Sequence, residues 1–378
     1  MPDVLLYGDT VRSPALRHEV PISIIDPFLY AEVDGRAVIM ASPLEAERLA
    51  AARPDAALVD FEALGFHALL ESGLPRHEVL LELVARMARQ TGVRAATVDA
   101  EFPLGVAERL RADGIELTVD HTAIPARRRV KSPAELQGIM RAQRAAEAGM
   151  AAATALLRAA EPQDGELRLD GKPLTAERVR AELRAACAER AAPAPPDVIV
   201  ASVWQGFGHE AGRGPLPAGL PIQIDLWPQD EASGCWADMT RTFVVGEPPE
   251  AVRAQEALVA EALEAARAAT RPGVTGRELH DLCCDIFEAA GHRTQRTGPG
   301  GDPAEGFQFS LGHGVGLDVH EGPSLGQLGR DPLVAGDVLA VEPGLWDRAD
   351  GGVRFEDLLL VTDEGCETLT EYPYSLTP

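Results

Sequence analysis

The sequence predicts a mixed α/β protein made of two consecutive domains. Three observations support this prediction: the length of 378 residues, a hydrophobic fraction of 46% that is ample for two buried cores, and short apolar runs that alternate with stretches of helical periodicity. Such alternation is typical of layers of helices packed on sheets. The same composition argues against intrinsic disorder.

The charge and the cysteines restrict the class of function. A formal net charge of −24 disfavours binding to nucleic acid or to an anionic membrane, since both repel an acidic surface. The five cysteines are odd in number and scattered, unlike a secreted disulfide framework. Neither a signal peptide nor an apolar run of membrane-spanning length is found. We therefore expect a cytoplasmic protein.

The first predicted domain covers residues 1–125. Apolar runs predict strands at Ala37–Met40 and Ala95–Val98, and helical periodicity predicts helices at Leu44–Ala52 and His77–Gln90. Their alternation indicates a small α/β domain. Nothing in this segment clusters catalytic residue types.

A basic linker over residues 126–131 separates the two domains. The run Pro125-Ala-Arg-Arg-Arg-Val-Lys131 is unusual in an acidic protein, and we interpret it as a solvated linker. Directly after it, Ser132 has the residue type of a helix N-cap, and Glu135 completes a capping box. These residues predict a long helix to about Ala160, which opens the second domain at residues 132–378.

The second domain mixes helices with paired strands. Helices are predicted at residues 178–191, 249–269 and 275–290, and strands at residues 198–202, 221–227, 236–245, 337–342 and 353–361. Residues 296–306 form a loop by composition. We interpret His280 and His292, which flank the third helix, as surface or capping residues, and Cys283 and Cys284 as helix packing.

Two aspartates stand in adjacent predicted strands. In Ile222-Gln-Ile-Asp-Leu-Trp227, the alternation of side chains turns Asp225 away from the apolar face. In the next strand the same alternation places Asp238 on one face with two threonines. A hairpin would bring both carboxylates to the same face. Taken alone, the pair is equally compatible with solvated aspartates on an outer face.

More acids and two imidazoles follow towards the C-terminus. They are Glu342 at the end of an apolar strand, Arg354 and Glu356 on one face of another, and His313 and His320 in the glycine-rich segment Gly312 to Glu321. Carboxylates in apolar strands are costly unless they are paired or bind a cation. Four acids and one neutral histidine would balance two divalent cations, which is the composition of a dinuclear site rich in oxygen donors. The sequence alone does not establish that these residues converge.

With these segments in order, the second domain resembles the pita-bread metallopeptidases, which include aminopeptidase P, prolidase and methionine aminopeptidase. The resemblance runs from Ser132 to the end of the chain. It rests on Ile224-Asp-Leu226, Asp238-Met-Thr-Arg-Thr-Phe243, the segment Gly312 to Glu321, Val341-Glu-Pro-Gly344 and Arg354-Phe-Glu-Asp357. The first domain resembles the creatinase-type domain of the prolyl members. The resemblance thus implies a pita-bread catalytic domain preceded by a smaller α/β domain.

The resemblance also implies two divalent metal ions, with manganese first and cobalt or zinc as alternatives. The implied ligands are Asp225 on one metal, His313 and Glu342 on the other, and Asp238 and Glu356 as bridges. A hydroxide between the metals would attack the scissile carbonyl, because two cations lower the pKa of bound water. Glu342 would also carry the proton from that water.

Three other residues receive roles from the same resemblance. His320 would stabilise the tetrahedral oxyanion, and His209 would lie near the substrate and its leaving group. Arg354 would orient Asp225 from outside the metal shell. Three tryptophans close to these segments are expected either to line the cleft or to pack in the core: Trp204, Trp227 and Trp346.

Two positions depart from the commoner family pattern. The spacing from Asp225 to Asp238 is longer than usual, and a lengthened hairpin turn would absorb the insertion. Phe309 occupies a position before His313 where many prolyl-specific members carry a further histidine. An aromatic ring there still packs on proline, but the prediction of strict proline selectivity is weakened.

The resemblance implies an Xaa-Pro peptidase that acts on peptide substrates as a cytoplasmic homodimer, without nucleic acid or membrane partners. The related alternative is an aminopeptidase of the same fold without a proline preference. Two remoter alternatives are a metal-free creatinase-like hydrolase and a non-catalytic peptide-binding module. Both are disfavoured because relatives of those kinds lose the ligand residues, whereas all five are present here.

Overall fold

The computed structural model describes residues 2–202, 205, 208–298 and 301–378. The chain divides into two compact units. Residues up to Arg128 together with Ala232–Gly234 form the first, and Arg129–Glu231 together with Cys235–Pro378 form the second. Among the described residues, none of the helices combines the length and the apolar character that a bilayer crossing requires.

The first unit is built on one mixed sheet flanked by helices. Its strands are β1 (Asp3–Gly8), β2 (Phe28–Val33), β3 (Arg36–Ala41), β4 (Ala57–Asp60), β5 (Ala95–Val98) and β6 (Glu116–Val119). Its helices are α1 (Pro14–Glu19), α2 (Ala46–Ala52), α3 (Phe66–Glu71), α4 (Arg76–Thr91), α5 (Leu104–Ala112) and α6 (Ala123–Arg127). The strand order is β4-β3-β2-β1-β5-β6. The predictions of strands at β3 and β5 and of helices at α2 and α4 are confirmed, with α2 beginning two residues later than predicted.

The second unit contains the remaining elements. Its helices are α7 (Pro133–Ala159), α8 (Ala176–Ala188), α9 (Glu250–Ala269) and α10 (Gly276–Ala289). Its strands are β7 (Glu161–Gln163), β8 (Glu166–Leu169), β9 (Lys172–Pro173), β10 (Ile199–Ala201), β11 (Ile222–Leu226), β12 (Met239–Phe243), β13 (Gly312–Gly314), β14 (Glu321–Ser324), β15 (Val338–Val341), β16 (Gly344–Asp347), β17 (Gly351–Arg354), β18 (Asp357–Val361) and β19 (Cys366–Thr368). They form the sheets β7-β8-β9, β10-β11-β12, β14-β13-β15-β18-β19 and β16-β17.

The long helix α7 begins where the sequence predicts. Ser132 Oγ accepts a hydrogen bond from the Glu135 backbone N–H at 3.2 Å, and the Glu135 carboxylate accepts one from the Ser132 N–H at 2.8 Å. The capping box is therefore confirmed, and Pro133 at the first helical position reinforces it. Ala142, Ala145, Ala146, Met150 and Ala153 form the buried face of this helix.

The predicted strand at residues 353–361 is wrong in one respect, because it is two strands. β17 pairs with β16 in one sheet, whereas β18 pairs with β15 in another. The chain changes sheets at Phe355 and Glu356, so Glu356 lies at the break rather than within a strand. Side-chain alternation cannot reveal such a change, since both halves are apolar and buried.

The interpretation of His280 as a surface or capping residue is also wrong. His280 lies inside α10 and is fully buried, with its ring 5.3 Å from that of Phe307, centroid to centroid. Burial lowers the pKa of this imidazole and so favours its neutral form. Cys283 and Cys284 are buried beside it, as expected for helix packing. The apolar face of α10 is therefore wider than the sequence indicated.

Glycines allow the close approach of β13 to its neighbours. A Cβ on Gly312 would lie 1.9 Å from the carbonyl oxygen of Ala340, and one on Gly314 would lie 2.2 Å from that of Gly322. Gly312 also has a φ of +149°, which side-chain-bearing residues rarely adopt. Only glycine therefore fits on either side of His313.

Candidate metal centre

The candidate ligands begin on the antiparallel pair β11–β12. Asp225 lies opposite Thr240 in the register of the two strands. Asp238 comes two residues before Thr240, just outside β12, so the two carboxylates project from the same face. Oxygens of Asp225, Asp238 and Glu356 all lie within 4.8 Å of one another. The structure thus brings together the two aspartates that alternation assigned to one face.

His313 reaches this group from the neighbouring sheet. It lies in β13, and its Nδ1 is 3.1 Å from the carbonyl oxygen of Gly314. When Nδ1–H donates that hydrogen bond, Nε2 keeps its lone pair. Nε2 lies 3.7 Å from Oδ2 of Asp238 and 3.6 Å from Oε1 of Glu342. The imidazole is therefore oriented as a metal ligand would be.

The two glutamates lie at the ends of strands. Glu342 directly follows β15, and its backbone N–H donates to Leu311 at 2.8 Å. Glu356 lies between β17 and β18, and its Oε2 accepts a hydrogen bond from Thr240 Oγ1 at 2.7 Å. Donor atoms of His313, Glu342 and Glu356 also lie within 4.8 Å of one another. Glu356 therefore belongs to this group and to the aspartate group as well.

The buried carboxylates repel one another. Burial raises the pKa of Asp225 to about 6, against the opposing effect of Arg354. Burial first, and then neighbouring carboxylates, raise the pKa values of Asp238 and Glu356 well above their usual range. Divalent cations between these oxygens would remove the penalty. One imidazole among oxygen donors fits Mn²⁺, Co²⁺ or Zn²⁺.

Arg354 lies against the acidic cluster. Its Nη1 is 3.5 Å from Oδ2 of Asp225 and 3.3 Å from Oε2 of Glu342, and its guanidinium lies 5.0 Å from the centre of the Trp346 ring. Its Nε is buried with no hydrogen-bond partner among the described residues. Arg354 therefore contacts a carboxylate from each donor group and restrains both.

Two further histidines border the cluster. The ring of His320 lies 4.3 Å from that of His313, and the ring of His209 lies 6.4 Å from that of His320, centroid to centroid. Partial burial lowers the pKa of His320, and His313 adds to this effect. Both rings line a cavity of about 590 Å³ that also contains the candidate ligands. They face the space where a substrate would contact the metals.

Three aromatic residues line two adjoining cavities. Trp227 and Phe309 line the large one, whereas Trp346 lines a small adjoining cavity of about 30 Å³ together with Phe309. The Phe309 and Trp346 rings meet edge to face at 5.6 Å. Trp204 lies outside the described residues, as do Gly206 and Phe207 of the segment before His209.

Sequence reasoning missed Arg241, which holds the ligand strands together. Its side chain is fully buried and donates to the carbonyl oxygens of Glu356 at 2.7 Å and Thr240 at 2.9 Å, and to Oδ1 of Asp357 at 2.8 Å. The sequence contains a hint of this pair. Arg241 and Asp357 are charged residues next to candidate ligand residues in otherwise apolar segments, and a buried charge is tolerated when a charge of opposite sign pairs with it.

Comparison with known proteins supplies the family context. The sequence model described as Metallopeptidase family M24 matches residues 137–363. A curated relative, the Xaa-Pro dipeptidase of Pyrococcus furiosus, is 38% identical over 135 residues, which are 36% of this chain and 36% of the relative. The matched segment thus spans about a third of the length of that relative.

Solved structures align over the whole chain. The Xaa-Pro dipeptidase from Bacillus anthracis superposes with a TM-score of 0.79 at 22% identity, covering 100% of this chain and 94% of that one. The prolidase from Pyrococcus horikoshii superposes with a TM-score of 0.75 at 24% identity, covering 100% and 95%. At these identities the likeness establishes a shared fold. The predicted fold class is therefore confirmed for both units.

Proposed function

The chain belongs to metallopeptidase family M24, and on that premise we propose that it is a two-metal peptidase that hydrolyses the N-terminal peptide bond of peptides, preferentially before proline. The resemblance inferred from the sequence motifs is confirmed by the family match over residues 137–363. The observation that carries the proposal is a set of three overlapping donor groups, in which buried carboxylates with raised pKa values meet His313, and in which Asp238 and His313 also lie within reach of His320.

The proposed ligand assignment follows from which donor atoms lie together. Asp225 would hold one metal, and His313 and Glu342 would hold the other. Asp238 and Glu356 would serve both, which is consistent with the distance of 3.7 Å between Asp238 and His313 and with the place of Glu356 in two donor groups. Manganese is the first choice for both positions, with cobalt or zinc as alternatives, because the set is rich in oxygen donors.

Bound metals would lower the pKa of a shared water and polarise the scissile carbonyl. The chain's own residues supply the other functions. Glu342 accepts and returns the proton of the attacking water, and Arg354 restrains its carboxylate at 3.3 Å. We assign His320 as the donor to the oxygen that becomes negative and His209 as a residue near the substrate and its leaving group, because both line the same cavity.

The proposed proline preference has two supports. They are the Xaa-Pro dipeptidase names of the relatives and the flat aromatic ring that Phe309 presents in the cavity. A peptidase of the same fold without proline preference is the alternative. A metal-free hydrolase or a passive binding module would not need the clustered carboxylates, so both are disfavoured.

We also propose that the first unit is a creatinase-type domain, with the boundary at residues 126–131, and that the protein is a cytoplasmic homodimer. Peptides would be its partners, without nucleic acid or membranes. The net charge of −24 supports these exclusions. Sedimentation of the purified full-length chain tests the oligomeric state.

One experiment tests the proposed activity. The protein is stripped of metal, reloaded with Mn²⁺, Co²⁺ or Zn²⁺, and assayed on Ala-Pro, Ala-Pro-Ala and Ala-Ala-Ala. We expect metal-dependent release of the first residue, faster before proline. Absence of cleavage of every peptide with every metal would contradict the peptidase proposal. Equal rates on Ala-Pro-Ala and Ala-Ala-Ala would remove the proline preference and leave the peptidase activity intact.

A further inference from the structure

The cavity that contains the metal ligands continues into a second cavity. The second has a volume of about 590 Å³ and shares Ser310 and Ser324 with the first. Ser324 lies directly opposite His313 in the β13–β14 pair, so the second cavity begins beside the metal-ligating histidine. We name this second cavity the outer groove. Its polar lining consists of Gln295, Gln308, Ser310, Ser324 and Gln327.

The outer groove is lined by groups that suit a peptide backbone. Its polar residues carry amides and hydroxyls, which both donate and accept hydrogen bonds without charge. The side-chain Nε2 of Gln308 is buried and has no hydrogen-bond partner among the described residues. The Gln295 side chain donates to the Gln308 carbonyl oxygen at 2.6 Å, which fixes the backbone there. A peptide carbonyl in the groove would satisfy the buried Gln308 donor.

The described residues at the inner end of the groove offer a free carboxylate no lysine, and their one arginine already contacts acids. Among the described residues that line the two cavities, Arg354 is the sole arginine or lysine. Its Nη1 lies 3.5 Å from Oδ2 of Asp225 and 3.3 Å from Oε2 of Glu342, so this guanidinium is already paired with carboxylates of the cluster. Arg293 lies next to Gly301, which lines the outer groove and is not part of the lining of the first cavity.

Space favours one direction for a bound peptide. With the scissile carbonyl at the metals, the cavity on the Asp225 side, beside Trp346, measures only about 30 Å³. We therefore place the chain beyond the scissile bond past Ser310 and Ser324. In a dipeptide the free carboxylate follows one residue later, roughly 3.5 Å along the chain, where the described lining of the outer groove carries no charge.

We infer that the preferred substrates are peptides of three or more residues, whose C-terminal part occupies the outer groove, and that free dipeptides are poor substrates. This inference rests on the proposed peptidase function and specifies its substrate class. A third residue moves the carboxylate outward and puts a neutral peptide group in the neutral lining at this position. That group can accept the hydrogen bond that Gln308 offers.

The first test compares three substrates of the manganese-loaded enzyme: Ala-Pro, Ala-Pro-amide and Ala-Pro-Ala. We expect kcat/KM for Ala-Pro-Ala to exceed that for Ala-Pro by at least about tenfold, chiefly through KM. Ala-Pro-amide should recover most of that difference, since it lacks the carboxylate but adds no residue. Equal values for Ala-Pro and Ala-Pro-Ala would overturn the inference while supporting the peptidase function.

A variant pair locates the effect in the groove. Gln308→Lys places a cation where the structure has a neutral donor, and Gln308→Met is the uncharged control of similar size. We expect Gln308→Lys to raise kcat/KM for Ala-Pro at least about fivefold and to leave Ala-Pro-amide unchanged. Gln308→Met should not improve Ala-Pro and should raise KM for Ala-Pro-Ala. Equal behaviour of the two variants on Ala-Pro would overturn the assignment to this groove.

Equilibrium binding separates the groove from catalysis. Calorimetry on the metal-free protein compares proline with Pro-Ala-amide, the two leaving groups of different length. We expect Pro-Ala-amide to bind at least about tenfold more tightly. If no peptide is cleaved with any metal, the proposed function fails, whereas tighter binding of Pro-Ala-amide would still show that the outer groove binds the longer ligand. Equal affinities for the two ligands would refute the role of the groove and with it the inference.

Discussion

At the scale of single residues, the dominant feature is a set of acids that the fold holds together against their mutual repulsion. Asp225, Asp238 and Glu356 are between 1% and 7% exposed, and all three have raised pKa values. The folded chain thus holds carboxylates close enough to repel one another. Protonation reduces this repulsion at low pH, and bound cations would reduce it at neutral pH.

The proposed bridging role of Asp238 predicts a large loss of activity in Asp238→Asn, because one charge is removed from the proposed ligand set at nearly constant volume. We expect kcat to fall at least about 100-fold and the metal stoichiometry measured by calorimetry to drop below two. The matched control is Asp363→Asn, the same change at an exposed position. Near-wild-type activity of Asp238→Asn with two bound metals would refute the bridging assignment.

The raised pKa of Asp225 predicts how the metal-free protein responds to pH. The pKa of the Asp225 carboxyl is 3.8 in the unfolded chain and rises to about 6 in the folded protein, so the folded state binds the proton more tightly. Protonation of Asp225 therefore stabilises the folded state at low pH. That stabilisation is lost as the pH rises through about 6. Thermal unfolding in a chelator should therefore show the Tm falling between pH 4.5 and 7.

Asp225→Asn is the control for this pH dependence, since its amide does not titrate. Its Tm should fall less over the same range than that of the wild-type protein. Buffers with matched heats of ionisation and constant ionic strength ensure that a difference in Tm between the two proteins reflects the substitution. Parallel curves for the two proteins would show that Asp225 does not carry the effect.

At the scale of elements, the site depends on how two sheets are joined. Arg241 of β12 donates to Glu356 and to Asp357 at the start of β18, and both members of the Arg241–Asp357 pair are fully buried. The guanidinium also donates to the carbonyl oxygen of Tyr372 at 2.9 Å. This one side chain thus links β12, the segment carrying Glu356 and the C-terminal residues.

Breaking the buried pair should destabilise the protein strongly. We expect Arg241→Met to cost about 3–5 kcal/mol of the free energy of unfolding, because Asp357 is left buried without its partner. Urea unfolding followed by circular dichroism measures the change. The double variant Arg241→Met with Asp357→Asn should be more stable than Arg241→Met alone. A single variant as stable as the wild type would show that the pair is not required.

Most elements follow from local pattern, and the exceptions have physical causes. Ser132 and Glu135 predict the start of α7, because capping is decided within one turn. Residues 353–361 were misassigned because a change of sheet leaves an apolar pattern intact. The strands β13 and β14 were not predicted, since glycine and proline conceal their strand propensity.

The candidate site was predictable by residue type but not by distance. The residue pattern singled out Asp225, Asp238, Glu342, Glu356 and two histidines, and the family resemblance selected His313 of these two as the ligand. The structure brings the donor atoms of all five within 4.8 Å in overlapping groups. Convergence depends on pairings between segments far apart in the chain, which no local pattern encodes. The burial of His280 was missed for the same reason, since Phe307 covers it from a distant segment.

At the scale of the whole molecule, metal binding should appear as stability. Any ligand that binds only the folded state stabilises it, by about 2.7 kcal/mol at a concentration one hundred times its Kd. We expect Mn²⁺ to raise the Tm of the stripped protein at pH 7.5, and by less at pH 5, where protons compete for the carboxylates. Calorimetric scanning with and without the metal measures both shifts. No shift at pH 7.5 would contradict a metal site in the folded protein.

The strand break that carries Glu356 also bears on the order of events during biosynthesis. Glu356, the last of the candidate ligands in the chain, is made long after Asp225 and is positioned by β17 and β18, which belong to separate sheets. Small zinc modules, in contrast, fold around their metal. We therefore expect the topology of this protein to form before metal binds. Chain made in metal-poor medium should fold and accept its metals afterwards.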